Sequence, residues 1–203
     1  MALQLIRLLL SCVGGVAARI QNDAFMARLK ELIAFGFTID KIVTFMCGGV
    51  AARIQNDAFM ARLKELKELG FTIDKIVTFM SNSVAARIQD DVFMARLEEL
   101  KELGFTIDKI VAFMCDGVAA RIQDDAFILN IQNIISHFKN CRMSDTDAIN
   151  AVIRLFRTSP YIKIVPKITQ RIMGLQDLDA CTEFITNHCK SYAKRKQLVS
   201  QFV

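Results

Sequence analysis

Apolar positions recur at helical spacing along most of the chain, and the segment 71–104 shows the pattern clearly. Ile73, Ile76, Val77 and Met80 fall on one face of a short helix. After a polar break comes a second stripe, which consists of Val84, Ile88, Val92, Leu97, Leu100 and Leu103, with Phe93 and Met94 beside them. The pattern predicts a short helix, a tight loop and a longer helix.

Residues that favour helix ends lie at the borders of these stripes. Thr72 can cap the first helix, and Asp74 follows in the first turn, where a negative charge meets exposed N–H groups. Gly104 is predicted to end the second helix as a C-cap glycine. Asn56-Asp57, or Asp90-Asp91 in the next copy, can form a new N-cap inside the second helix. Units of two helices and of three helices therefore both fit the sequence.

A single repeated unit accounts for most of these elements. It recurs without gaps at 13–46, 47–80 and 81–114, and a partial fourth copy covers 115–127. The apolar framework barely changes between copies, but three adjacent positions do change, and they are Val13-Gly14-Gly15, Cys47-Gly48-Gly49, Ser81-Asn82-Ser83 and Cys115-Asp116-Gly117. Because one such unit cannot bury its own apolar face, the copies must stack. The predicted fold class is an all-α solenoid of helix–loop–helix repeats.

The two ends of the chain depart from the exact repeat. Residues 1–12 have the early base and short apolar run of a signal peptide. They continue, however, into Gly14–Ala18, which recurs as Gly48–Ala52, so we expect 1–12 to be a truncated half-repeat or cap. Residues 128–203 keep helical spacing without exact repetition, which predicts degenerate repeats and a C-terminal cap.

Helix ends are also marked in the C-terminal segment. Ser144 is predicted to cap a helix that Ser159-Pro160 breaks. Gly174 is predicted to end the next apolar segment, and Asp177 or Asp179 to start a last helix.

Composition supports helix and disfavours two other classes. The chain has 203 residues, 53% of them hydrophobic, and only two prolines, which favours helix over strand. Of its six cysteines, Cys47 and Cys115 occupy variable positions, so we expect reduced thiols in an intracellular protein and no disulfide framework. No uncharged apolar run approaches the ~20 residues that span a bilayer, so no membrane partner is expected.

Charge and candidate chemistry narrow the function further. The net charge of +5 permits nucleic acid without demanding it. The copy at 81–114 carries more acidic than basic residues, whereas 115–203 carries more basic ones. No catalytic triad, Gly-rich phosphate loop or carboxylate pair is recognisable, so we expect no enzyme, no cofactor and no small-molecule substrate.

Two groups of residues could hold a metal ion. His137 lies four residues before Cys141, and His188 adjoins Cys189 and follows Cys181. These spacings match no standard zinc pattern, so the sequence predicts no metal site.

Residues 1–127 resemble the repeats of transcription-activator-like effectors and related DNA-binding proteins. The resemblance is carried by FTIDKIV, by Ser81-Asn82-Ser83 and Cys47-Gly48-Gly49, by the closing LKELGF, and by copies that differ mainly at one loop. It implies a right-handed superhelix that follows the major groove of double-stranded DNA. It also implies a monomer that associates with DNA inside a cell, in the cytoplasm or nucleoid, or in a host nucleus for an effector.

The same resemblance assigns roles to the variable positions. In the family, the first residue of the variable pair braces the loop, which would be Gly14, Gly48, Asn82 and Asp116 here. The second faces one base, which would be Gly15, Gly49, Ser83 and Gly117. A glycine leaves room for a thymine methyl group, whereas a serine hydroxyl can donate or accept and should discriminate poorly.

A row of arginines marks a departure from the family pattern. Family repeats follow the variable pair with two glycines and a polar pair near phosphate, but Val-Ala-Ala-Arg follows here. We expect these arginines in the first turn of the second helix, where they could contact phosphates, and they are Arg19, Arg53, Arg87 and Arg121. Alternatively, they could pair with the acid four residues on, which is Asp23, Asp57, Asp91 or Asp125.

Two alternatives stay open. The closing LKELGF and the segment RTSPYIKIV at 157–165 also resemble the mitochondrial transcription termination factors, which bind nucleic acid with three-helix repeats. A solenoid can instead be a scaffold that binds a partner protein, and the acidic copy at 81–114 favours that alternative.

Overall fold

The computed structural model describes residues 22–47, 50–80, 83–114, 118–158 and 165–199. These residues form ten α-helices and three short 3-10 helices, and they contain no strand. The predicted all-α class with repeating helices is therefore confirmed. None of the helices in these ranges combines the length and apolar character needed to cross a bilayer.

Helix starts follow the period of the sequence. The α-helices are α1 (Asp23–Phe35), α2 (Ile39–Cys47), α3 (Asp57–Glu68), α4 (Ile73–Met80), α5 (Asp91–Glu102), α6 (Ile107–Phe113), α7 (Asp125–Asn140), α8 (Asp145–Thr158), α9 (Val165–Met173) and α10 (Leu178–Val199). The 3-10 helices are Val50–Ala52, Ser83–Ala86 and Val118–Ala120. Helices α1, α3, α5 and α7 each start at the aspartate that occupies the same position in its copy of the repeat.

In the copies whose VAARIQ segment is described, at 50–55, 84–89 and 118–123, the longer helix is divided in two. After the 3-10 helix Val50–Ala52 the chain turns, and Asn56 adopts an extended backbone with φ −89° and ψ 123°. The Asn56 side chain accepts hydrogen bonds from the N–H groups of Ala58 and Phe59 at 2.8 and 3.4 Å. These bonds satisfy two donors that a helix start leaves exposed. Asn22 and Asp124 cap α1 and α7 in the same way, so the unit contains three helical segments.

The division shifts which residues face the core. Because a new helix begins at Asp91, its inward face is set by Phe93, which has no exposed surface, and Val92 is 48% exposed. The single stripe through Val92 expected from the sequence was wrong at that position. The glycine ends were predicted correctly, since Gly104 has a left-handed φ of 94° and Phe105 N–H bonds to the Leu100 carbonyl at 3.0 Å.

By packing, the chain divides into two compact units, Met1–Met94 and Ala95–Val203. In the first unit, phenylalanines pack in two short series. The ring of Phe45 lies 5.1 Å from that of Phe37 and 6.5 Å from that of Phe59, measured between centroids. The second series has nearly the same spacing and consists of Phe71, Phe79 and Phe93.

The second unit also has a core of packed phenylalanines, but a ring from a helix outside the exact repeats completes it. Phe105 packs on Phe113 at 5.5 Å, but Phe156 of α8 then contacts both Phe113 and Phe127, with centroids at 6.2 and 5.1 Å. Helix α7 packs against α8 and α9, and α8 packs against α10. Degenerate helices thus cover the apolar face of the last repeat in this unit.

The expected start of α8, end of α9 and start of α10 are confirmed, whereas Ser159-Pro160, which were expected to break α8, lie outside the described residues. The Asp147 N–H donates to Ser144 Oγ at 3.1 Å, which caps α8. Helix α8 ends at Thr158, α9 ends just before Gly174, and Asp177 caps α10 by accepting from Ala180 N–H at 2.7 Å. The right-handed superhelix and the domain limits at 12 and 127 stay predictions.

Candidate nucleic-acid interface

In sequence, the predicted base-facing and bracing residues fall just before each VAARIQ segment, and we call these positions the tips. Ser83 begins the 3-10 helix Ser83–Ala86. The others lie outside the described residues, and they are Gly14, Gly15, Gly48, Gly49, Asn82, Asp116 and Gly117. The surroundings of the tips are therefore defined by the residues that flank them.

Each described tip is flanked by two buried side chains. In the first described copy these are Met46, with 1% of its surface exposed, and Val50, with none. The equivalent pairs are equally buried, and they are Met80 with Val84 and Met114 with Val118. Three variable positions thus lie between two anchors that belong to the core. Side chains can differ at these positions without changing the apolar residues on either side.

The arginine row occupies the turn that follows each 3-10 helix. Arg53, Arg87 and Arg121 are half-buried there, and Arg19 lies outside the described residues. The Arg53 N–H donates to the Val50 carbonyl at 2.7 Å, and the Arg53 carbonyl accepts from Asn56 N–H at 2.9 Å. The backbone of this residue therefore closes a turn and does not stand in the first turn of a long α-helix as expected.

The acids that could pair with this row bind other arginines. Asp57 accepts from the guanidinium of Arg28, which lies on α1 of the preceding repeat. The same contact joins Arg62 to Asp91 and Arg96 to Asp125. Asp23, at the start of α1, is exposed. Asp57, Asp91 and Asp125 therefore each link their repeat to the one before it.

The linking arginines also bind within their own helix. Arg28, Arg62 and Arg96 donate to the glutamate three residues on, with N–O distances of 2.6, 2.5 and 2.5 Å. We call the resulting three Arg–Glu–Asp groups the inter-repeat ladder. Sequence reasoning missed it, although its signal was present, because Arg and Glu keep their places in ARLKEL and ARLEEL of every full copy. A partner in the neighbouring repeat is not visible from helical spacing.

A second cluster of functional groups lies in the C-terminal unit. The ligand atoms of His137, Cys141 and Cys181 all lie within 4.8 Å of one another. His188 is not part of this group, and the side chain of Cys189 lies outside the described residues. Burial, then the neighbouring Cys141 and the charge of Asp177, raise the pKa of the Cys181 thiol from 9.0 to about 12.

A groove adjoins this cluster. It has a volume of about 820 Å³ and is lined by residues of α8 and of the start of α10. Arg142 and Thr182, which follow Cys141 and Cys181 in sequence, are among its lining residues. Arg142 has a left-handed φ of 67°, which places a non-glycine residue in a sparsely populated conformation at the end of α7.

No protein-family model, curated protein or solved structure matches the chain. Both resemblances noted from the sequence therefore stay expectations, and any functional proposal must rest on the residues themselves.

Proposed function

We propose that the repeats bind double-stranded DNA sequence-specifically, as a right-handed superhelix that presents one variable tip to one base in the major groove. Each glycine tip, Gly15, Gly49 and Gly117, prefers thymine, and Ser83 is permissive. The observation that carries this proposal is the burial of the Met and Val on both sides of every described tip.

Those anchors explain why variation is concentrated at the tips. A core residue that changes volume by one methylene alters packing, so the framework must stay constant. A position that is flanked in sequence by two such anchors can change its chemistry without altering the anchors themselves. Such an arrangement suits a surface that discriminates between ligands unit by unit. Each base pair presents a distinct set of donors, acceptors and methyl groups in the major groove, so a change of tip changes the preferred base.

Binding to the DNA backbone requires a second, unvarying element. Arg53, Arg87 and Arg121 occupy the same position in successive copies and are half-buried. The Nε of Arg87 and the Nη1 of Arg121 have almost no exposed surface, so only the other nitrogens of these two guanidinium groups could reach a phosphate. One such residue per repeat supplies the regular charge that backbone contacts need.

The test measures binding to fluorescent duplexes that differ by one base pair at a time. We expect about fivefold or greater preference for thymine at the three glycine registers and none at the Ser83 register. Ser83→Gly should create that preference at its own register alone. Arg87→Gln should weaken binding to all duplexes alike and reduce the slope of log affinity against log salt by about 0.9. Equal affinity for every duplex would refute base recognition.

The competing function is a scaffold for a partner protein. The acidic balance of 81–114 favours it, as does the exposure of the ladder acids, whose side chains are 90% accessible at Asp57 and Asp91. Salt separates the two, because phosphate contacts lose affinity steeply with salt and an apolar groove does not.

A further inference from the structure

We propose that His137, Cys141 and Cys181 form a Zn²⁺ site that ties the end of α7 to the start of α10. This proposal is independent of DNA binding, because none of its residues belongs to a repeat tip. It assigns a role to residues that the DNA-binding proposal does not use.

The distances suit a tetrahedral metal. Cys141 Sγ lies 3.7 Å from His137 Nε2, and all three ligand atoms lie within 4.8 Å of one another. Zn–S bonds of about 2.3 Å and Zn–N bonds of about 2.0 Å at tetrahedral angles place an S–N pair about 3.5 Å apart and an S–S pair about 3.8 Å apart. The site therefore needs shifts of roughly one ångström at most to enclose the ion.

The sequence positions bring the ligands together from two helices. His137 and Cys141 are four residues apart, so both point to one side of the last turn of α7, where Cys141 is the C-cap. Cys181 lies in the first turn of α10, beyond the whole of α8 and α9 along the chain. A helix C-terminus favours a cation and a helix N-terminus favours a thiolate, so both helix ends stabilise the bound form.

The chemistry of the ligands selects the ion. Two thiols and an imidazole suit a borderline-soft metal such as Zn²⁺ better than Mg²⁺ or Ca²⁺, which prefer oxygen. Binding replaces the two thiol protons, which pass to solvent, so the step consumes no oxidant. Three protein ligands leave the fourth position to water or an added ligand. Cys181 has no exposed surface and Cys141 is only 8% exposed, so the two thiols are shielded from bulk water, whereas His137 is half-buried.

The experiment titrates the full, reduced chain with Zn²⁺ against a chromophoric chelator, and with Co²⁺ while the thiolate-to-metal absorption band is recorded. We expect one ion per chain, a Co²⁺ band, and a rise in Tm of roughly 5–10 °C at a hundredfold excess over Kd. Cys181→Ser and His137→Gln should each weaken Zn²⁺ binding at least tenfold. Cys47→Ser, which removes a cysteine that the proposal does not use, should leave the affinity for Zn²⁺ unchanged.

Helix content by circular dichroism shows whether each variant folds. If the Cys181→Ser variant does not fold, because Cys181 is buried, the His137→Gln variant tests the site instead. Absence of Zn²⁺ binding at micromolar concentration would overturn the proposal, as would binding that survives both site variants. Rapid conversion of the purified reduced chain to a Cys141–Cys181 disulfide that Zn²⁺ does not slow would also overturn it, in favour of a redox pair.

Discussion

The substitution Arg62→Met tests which interactions hold consecutive repeats together. The guanidinium of Arg62 binds Glu65 in its own helix and Asp91 at the start of the next repeat. Methionine keeps most of the apolar stem but removes both ion pairs. If the ladder is the main source of cohesion, the loss of stability will be large. If the apolar core is, the loss will be small.

The solvent exposure of Glu65 and Asp91 determines how large the loss of stability should be. The Arg62 side chain is 19% exposed, but Glu65 is 41% and Asp91 90% exposed, so water screens both contacts. Exposed ion pairs contribute about 0.2–1 kcal/mol each. We therefore expect Arg62→Met to lower the free energy of unfolding by about 1 kcal/mol. Truncation of Phe79 to alanine should lower the free energy of unfolding by about 3–5 kcal/mol, because the Phe79 ring is fully buried between Phe71 and Phe93.

Urea denaturation of a double-mutant cycle measures the energy of the interaction between Arg62 and Asp91 alone. Arg62→Met, Asp91→Asn and the double variant give the coupling energy, which we expect below about 1 kcal/mol and smaller still in about 1 M salt. Arg28→Met with Asp57→Asn is the matched control, because it removes the equivalent contact one repeat earlier. A coupling energy above about 2 kcal/mol that salt does not reduce would refute the argument and make the ladder the principal link between repeats.

Three further predictions follow from local geometry. Asn56→Ala should lower the free energy of unfolding by about 1 kcal/mol because two capped N–H groups lose their partner, whereas Asn56→Asp should be nearly neutral in the same urea titration. Gly104→Ala should cost about 1–2 kcal/mol for its left-handed backbone, and more than Gly36→Ala, since the new Cβ would lie 3.3 Å from Ile149 Cδ1 but 3.8 Å from the nearest atom at Gly36. Adding Ile149→Val should reduce the difference in stability cost between Gly104→Ala and Gly36→Ala, as measured by thermal unfolding. In the metal-free chain, Cys181 should alkylate far more slowly at pH 9 than after unfolding, because its side chain has no exposed surface and burial raises its pKa to about 12. The stabilising contribution of the neutral thiol is complete below pH 9 and is lost as pH rises towards 12.

Local signals in the sequence predicted the helices and most of their ends. Thr106 caps α6 by accepting from Lys109 N–H, as its equivalent Thr72 was expected to do for α4, and Gly104 takes the left-handed conformation expected of it. These signals depend only on near neighbours in the chain. Val92 was misplaced because the inward face changes phase where Asp90-Asp91 restarts the helix, and the sequence left that restart open.

Contacts between distant residues could not be predicted in the same way. Helical spacing suggested that Asp91 would bind Arg87, four residues earlier, but Asp91 accepts from Arg62 of the preceding repeat. Likewise His137 and Cys141 are close in sequence, but nothing in the spacing indicates that Cys181 joins them. Both cases depend on how one helix packs on another, which a repeat pattern implies only in outline.

The inter-repeat ladder ends where the exact repeat ends. At the position equivalent to Arg28, Arg62 and Arg96, the next copy carries Asn130, which donates to the Ala126 carbonyl at 2.6 Å within its own helix. An asparagine is too short to reach an acid on a following repeat. Helix α8 then takes the place of the short helix of the fourth copy: it packs against α6, as α4 packs against α2, and its Phe156 contacts both Phe113 and Phe127. We therefore expect that continuing the ladder into a further copy would require an arginine at position 130.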